Sequence, residues 1–474
     1  MPSIHASSTT PGRRERTERK GDGMARTLIR GAQIISMAAG RPAFEAGDIL
    51  IADDLVEAVG VDLGHVDAEI VDTPGRIIIP GLVNAHLHTW QTGLRSVGAD
   101  WTLLEYLTKL RFSGAAHFTA DDVRVGTLVG AWNQINVGTT TLGDWSHNCA
   151  TLGFAEAAVD ALAETGIRSL FMYGMPMWPS DRPHPAPDFD RLATGAASTN
   201  PLVDVGLAVN GPQYSLREVA VADFELAARH GCVISMHQSG GPAADDTAWP
   251  AVHEAGLVDP RTNIVHGVGL PDDHIDRLVQ SGATFTCTPE NELSQGHGQP
   301  ITRQLLDAGT APSLGTDVEC VSPGAVLDSA RIALAHARGI DHERHRATHG
   351  APAGTAAITS RQALAWATVE GARALGLGDR VGSIEPGKQA DLVVVDATAL
   401  NLWPPHDPIA TAVQASVANI ESVMIAGRWR KRDGELVGAD VDRLRQDLLA
   451  SGQRLVAELD LAPRPAGEGP GPSA

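Results

Sequence analysis

The sequence predicts an α/β fold: a (β/α)8 TIM-type barrel joined to a small β-sandwich domain built from both chain ends. Three observations predict it. Eight apolar β runs alternate with helical stretches through the middle of the 474-residue chain. Short strands with tight turns flank that block on both sides. The first apolar run, Ile77-Ile78-Ile79-Pro80-Gly81-Leu82-Val83-Asn84-Ala85, ends in the pair His86 and His88. In a strand, side chains at i and i+2 share a face, so both imidazoles can reach one cation from one side.

Residues 1–23 are polar, with Arg13, Arg14, Arg16, Arg19 and Lys20, and lack the apolar stretch of a signal peptide. They read as a disordered tail or an upstream start never used. Residues 24–80 form the N-terminal part of the sandwich, with strands such as Leu28–Ile35 and Gly47–Asp54. Residues 81–378 form the barrel. After the strand leading to His86, its β runs are Thr139–Asp144, Ser169–Tyr173, Val205–Asn210, Val233–His237, Asn263–His266, Thr284–Cys287 and Pro312–Asp317. Helices at Phe154–Thr165 and Leu216–His230 separate some of them. Residues 379–437 close the sandwich, through strands in Gly387–Asp396 and Ser422–Arg430. Residues 438–474 read as a terminal helix and a tail, the last dozen residues disordered.

The formal net charge of −20 argues against a nucleic-acid or anionic-membrane binder, since both want a basic face. No apolar run approaches the length of a membrane span. Cys149, Cys232, Cys287 and Cys320 include no C-x-x-C pair, so they read as buried reduced thiols of a cytoplasmic enzyme.

In a barrel of this kind, chemistry sits at the C-terminal ends of the strands. His86 and His88 end the first strand, His237 the fifth, His266 the sixth and Asp317 the eighth. Imidazole suits zinc and its first-row neighbours. Several imidazoles with one carboxylate leave a position open for water, which a bound metal turns into hydroxide near neutral pH.

The chain resembles the amidohydrolase superfamily, in the branch of S-adenosylhomocysteine/methylthioadenosine deaminases, guanine and cytosine deaminases, and triazine hydrolases. The matching motifs are Pro80-Gly81-Leu82-Val83-Asn84-Ala85-His86-Leu87-His88, Ile264-Val265-His266-Gly267, Leu314-Gly315-Thr316-Asp317 and Val381 to Leu392. The likeness runs from about Thr27 to Leu436. It implies His86, His88, His237 and Asp317 as ligands of one divalent ion, zinc first, with iron, cobalt or manganese as alternatives. It gives Asp317 a second role as proton acceptor, and places His266 beside the reacting water or the substrate. No Lys ends the fourth strand to bridge a second ion.

Two departures bear on activity. Deaminases of this branch usually carry Glu three residues after the fifth-strand His; here Gly240 stands there, in His237-Gln238-Ser239-Gly240. After the seventh strand, Pro289-Glu290-Asn291-Glu292-Leu293 replaces the usual Pro-x-Ser-Asn-x. Glu290, Glu292 and Glu319 are therefore candidates for the missing base. Trp90, Gln91, Trp101, His147 and Asn210 are candidates for substrate contact. Leu103, Leu104 and Leu107 read as the apolar face of a helix, and His297, between two glycines, as surface.

The expected activity is hydrolysis of a non-peptide C–N bond in a small, cyclic or amide-like substrate. The alternatives are a purine, pyrimidine or triazine deaminase that uses Glu290 or Glu292 as proton shuttle, and a non-catalytic ligand-binding paralogue. A homo-oligomer with a small-molecule substrate, and with neither nucleic-acid nor membrane partner, is expected.

Overall fold

The computed structural model describes residues 26–64, 66–176, 181–195 and 199–461. The expected N-terminal tail and the last dozen residues lie outside them. Among the described residues, seventeen strands fall into two sheets.

The first sheet joins the chain ends. It contains β1 (Arg26–Ile34), β2 (Glu45–Ala52), β3 (Leu55–Gly60), β4 (Glu69–Asp72) and β5 (Arg76–Pro80), then β14 (Leu392–Asp396), β15 (Ile420–Ile425), β16 (Arg428–Arg432) and β17 (Glu435–Leu436). The seam between the ends is β5 against β14, antiparallel, with Ile79 opposite Val393. Most pairings are antiparallel, while β4 and β5 run parallel to β1. It is one sheet that bends around its own core, because Ile29, Ile49, Ile78, Leu392, Val394 and Met424 pack together.

The second sheet is the barrel, all parallel and in sequence order: β6 (Leu82–Leu87), β7 (Thr139–Ser146), β8 (Arg168–Tyr173), β9 (Val203–Val209), β10 (Ile234–Ser239), β11 (Thr262–Val268), β12 (Thr284–Cys287) and β13 (Ser313–Leu314). All eight expected strands are present. The long apolar run before His86 divides at Pro80 and Gly81: its first half joins the end sheet and its second half starts the barrel. Helices such as Ala120–Asn136, Leu152–Thr165 and Arg217–His230 alternate with the strands. Their ends follow capping chemistry: Thr119 and Asp122 form a capping box, and Gly166 closes a helix with φ +68°.

Two devices hold the barrel where the site needs it. The strand ends meet at Asp317, whose backbone N–H donates to the His86 carbonyl (3.0 Å) and whose carbonyl accepts from the His88 N–H (2.8 Å). Asn84 ties the same seam, with its Nδ2 donating to Thr316 Oγ1 at 2.7 Å and its Oδ1 accepting from the Thr316 N–H at 3.2 Å. The second device joins barrel to end sheet. The buried Arg168 makes a two-pronged contact to Asp391, Nε to Oδ2 at 2.8 Å and Nη2 to Oδ1 at 3.1 Å. The Asp391 carboxylate also accepts from the Ala426 N–H (2.8 Å), which gives the Asp of the closing motif a structural role.

Candidate active site and metal centre

One ligand atom from each of His86, His88, His237 and Asp317 lies within 4.8 Å of all the others. His86 Nε2 is 3.3 Å from His237 Nε2, and Asp317 Oδ1 is 3.3 Å from both His86 Nε2 and His88 Nε2. Neighbouring ligands of one zinc ion, at bonds of about 2.0–2.1 Å, stand roughly 3 Å or more apart, and these three pairs match that spacing. The wider spread of the whole set, up to 4.8 Å, suits a five-coordinate ion with four protein ligands and one position left for water. His88 Nδ1 lies 2.6 Å from the Trp145 carbonyl oxygen and donates to it, which leaves the Nε2 lone pair facing inward. Burial pushes the His86 imidazole down to about 3 and holds His237 well below its usual range, so both are neutral, as ligation requires.

Local backbone aims these groups. Asp317 and His266 both sit in the left-handed region, at φ +61° and +67°, a conformation uncommon for side-chain-bearing residues, although Asp and His adopt it more readily than most. Gly315 lets the eighth strand close on the first, since a Cβ there would lie 2.7 Å from the His86 carbonyl oxygen.

Burial opposes ionisation of Asp317, yet the imidazoles of His86 and His88, then the charge of His266, hold its carboxyl well below the usual range. Its Oδ2 accepts a hydrogen bond from Asn291 Nδ2 and lies 4.0 Å from His266 Nε2. His266 Nδ1 is 3.3 Å from Glu292 Oε1, an oxygen that also accepts from the Thr288 N–H at 2.8 Å. Burial works against a charged His266, but the Glu292 hydrogen bond and the charges of Asp317 and Glu292 outweigh it and raise its pKa.

The cluster lies in a cavity of about 480 Å³. His147 and Asn210 line it, as do Leu103, Leu107 and His297. His147 stacks on His88 with ring centroids 4.0 Å apart. The short helix Leu103–Tyr106 and the π-helical turn Leu107–Phe112 present Leu103 and Leu107 to the cavity, while Leu104 faces solvent. His297 is correspondingly not a surface residue: its ring stands 4.8 Å from that of His266.

The structure does not bring Trp90, Gln91 or Trp101 to the cavity wall. Trp90 and Gln91 sit one layer behind it. Trp90 Nε1 donates to His147 Nδ1 (3.1 Å), and Gln91 Nε2 donates to the Tyr106 hydroxyl (2.7 Å). Trp101 stacks under the Lys109 ammonium. Their closeness in sequence to the His pair misleads because the chain turns away at once into a 3-10 helix, Thr89–Leu94. Neither Glu290 nor Glu292 lines the cavity. Glu292 is fully buried behind His266, and Glu290 lies on the helix Pro289–Ser294. Glu319 pairs with Arg95 and Asn133. Sequence reading missed Arg111, Tyr214, Gln238 and Val268 on the cavity wall. Arg111 lies well beyond the histidine motif, and only the π-helical turn brings it back.

A model of the Amidohydrolase family matches residues 77–430. A 5-methylthioadenosine/S-adenosylhomocysteine deaminase of Symbiobacterium thermophilum is 29% identical over 453 residues, covering 92% of this chain and 100% of its own. An 8-oxoguanine deaminase of Pseudomonas aeruginosa is 28% identical over 465 residues, covering 92% and 100%. The crystal structure of an adenosine deaminase from Xanthomonas campestris with bound zinc superposes with a TM-score of 0.77 at 24% identity, over 91% of this chain and 99% of that one. With its family match spanning the whole barrel and the seam to the end sheet, this chain belongs to the Amidohydrolase family.

Proposed function

We propose that this protein hydrolyses a carbon–nitrogen bond, other than a peptide bond, in a small cyclic or amide-like substrate. One divalent ion, zinc in the first instance, is held by His86, His88, His237 and Asp317. The observation that carries the reading is the convergence of these four ligand atoms within 4.8 Å at the strand ends of a buried cavity. Bound there, the ion supplies a water acidified towards neutral pH and an electrophilic contact for the substrate.

The chain's own groups do the rest. Asp317 accepts the proton of the attacking water. His266, with Nε2 4.0 Å from Asp317 Oδ2, donates a hydrogen bond to the substrate oxygen or ring nitrogen and delivers a proton to the leaving nitrogen. Glu292 orients His266 through Nδ1 and favours its protonated form. His147 and Asn210 bind the substrate from the cavity wall. A screen of amides and aminated heterocycles, read by product analysis on wild-type and Asp317→Asn protein, tests this. Turnover retained in the variant would contradict it.

Heterocycle deamination is the narrower second reading, favoured by the names of the full-length relatives. In that version the proton passes through His266, since Glu290 and Glu292 lie off the cavity. Ammonia release from a purine, pyrimidine and triazine panel separates the two readings. The complete ligand set speaks against a non-catalytic paralogue. Among the described residues no helix is long and apolar enough to cross a membrane. A homo-oligomer in the cytoplasm is part of the same proposal, and light scattering on the purified protein tests the assembly.

A further inference from the structure

Arg111 stands out among the charged side chains. It lies on the π-helical turn Leu107–Phe112, is only 5% exposed, and lines the cavity. Nη1 donates to the Pro176 carbonyl at 3.1 Å. A guanidinium carries five N–H donors, so that bond leaves most of its capacity unused. No carboxylate of the described residues forms an ion pair with it, and the segment that follows Pro176 (Met177, Trp178, Pro179, Ser180) contains no acid. Burial lowers its pKa to about 10, so it stays charged at neutral pH.

The contrast with Arg168 is instructive. That arginine is also buried, and the chain supplies Asp391 as a two-pronged partner. A buried charge without a counter-ion is costly, and proteins normally pair it. Among the described residues lining the cavity, the only carboxylate is Asp317, whose oxygens face His86, His88 and Asn291. Leu103, Leu107 and Val268 give the same cavity an apolar wall.

We propose that Arg111 is an anion subsite of the substrate cavity, and that the substrate is a carboxylic acid with a compact apolar or flat body. Its carboxylate pairs with the Arg111 guanidinium while its reacting carbon lies at the histidine cluster. This rests on the hydrolase reading only in taking the cavity to be the substrate's.

The test is calorimetric titration of the zinc-loaded protein with benzoate against benzamide and nicotinate against nicotinamide, using wild type, Arg111→Lys and Arg111→Met. Wild type should prefer each acid by at least tenfold, Arg111→Lys should keep part of the preference, and Arg111→Met should lose it. Arg111→Met should also melt at or above the wild-type temperature, because it removes an uncompensated buried charge. No preference in wild type, including no binding at all, overturns the proposal. So does an undiminished preference in Arg111→Met, which would place the carboxylate on the metal, and so does a sharp fall in melting temperature, which would make Arg111 a structural residue. A substrate screen without turnover, beside an Arg111-dependent preference, overturns the hydrolase reading and leaves the anion subsite standing.

Discussion

Asp317 shows how much one residue is asked to do. Its backbone closes the barrel, its Oδ1 faces two imidazoles, and its Oδ2 is held by Asn291. Asp317→Asn should lower kcat by on the order of 10²–10⁴-fold, the usual worth of a general base, with the fold kept by circular dichroism. Glu292→Gln removes the charge behind His266 while preserving shape. Losing one charge-assisted hydrogen bond of about 1.5–3 kcal/mol should lower kcat roughly 10–100-fold and leave KM nearly unchanged. The buried histidines set a pH signature. His86 is pushed down to about 3 from an ordinary 6.5. Between those values the unfolded chain binds a proton that the folded, metal-free protein refuses. The stability His86 contributes is therefore complete above about pH 6.5 and is lost progressively as pH falls from there to about 3, by up to about 1.4 kcal/mol per unit. Thermal melts of metal-stripped protein across this range check it; a flat profile would contradict it.

At the scale of elements, the strands were legible because parallel barrel strands are buried on both faces and read as continuous apolar runs. All of the proposed ligands could be read from the sequence for a related reason: each is a histidine or aspartate at or just past the C-terminal end of such a run, where a barrel places its chemistry. The cavity wall was legible only at strand ends, where His147 and Asn210 line it, since no periodicity tells which face of a loop helix turns inward. Trp90 and Gln91 turned away from the cavity and Arg111 turned towards it. Gly240 is informative at this scale. Strand β10 ends against the turn after β11, so a Cβ at position 240 would lie 2.1 Å from the Gly269 carbonyl oxygen. The absent Glu is thus built out by backbone packing. Gly240→Ala should destabilise the protein by about 1–3 kcal/mol, and Gly240→Glu should yield less folded protein and no gain in ammonia release. The Arg168–Asp391 clamp between the barrel and the end sheet makes a separate prediction. Asp391→Ala leaves a buried guanidinium unpaired and should cost about 3–5 kcal/mol in denaturant unfolding.

For the whole molecule, the proposed metal ligands come from the first and last barrel strands, His86 on β6 with His88 just after it and Asp317 after β13, and from β10 across from that seam. An ion held there would bind the folded state and have no such site in the unfolded chain. Its removal should lower stability by about 3 kcal/mol for metal at 100 times its dissociation constant. The end sheet contributes no ligand; it holds the first strand in place through β5 and its neighbour β14. The most direct measurement of the central claim is metal content per chain, by mass spectrometry, of wild-type and His86→Gln proteins after dialysis against zinc. One ion per wild-type chain, with little or none in a folded His86→Gln variant, is the predicted result. A folded wild-type protein that holds no divalent ion, or a variant that holds as much as wild type, would contradict it.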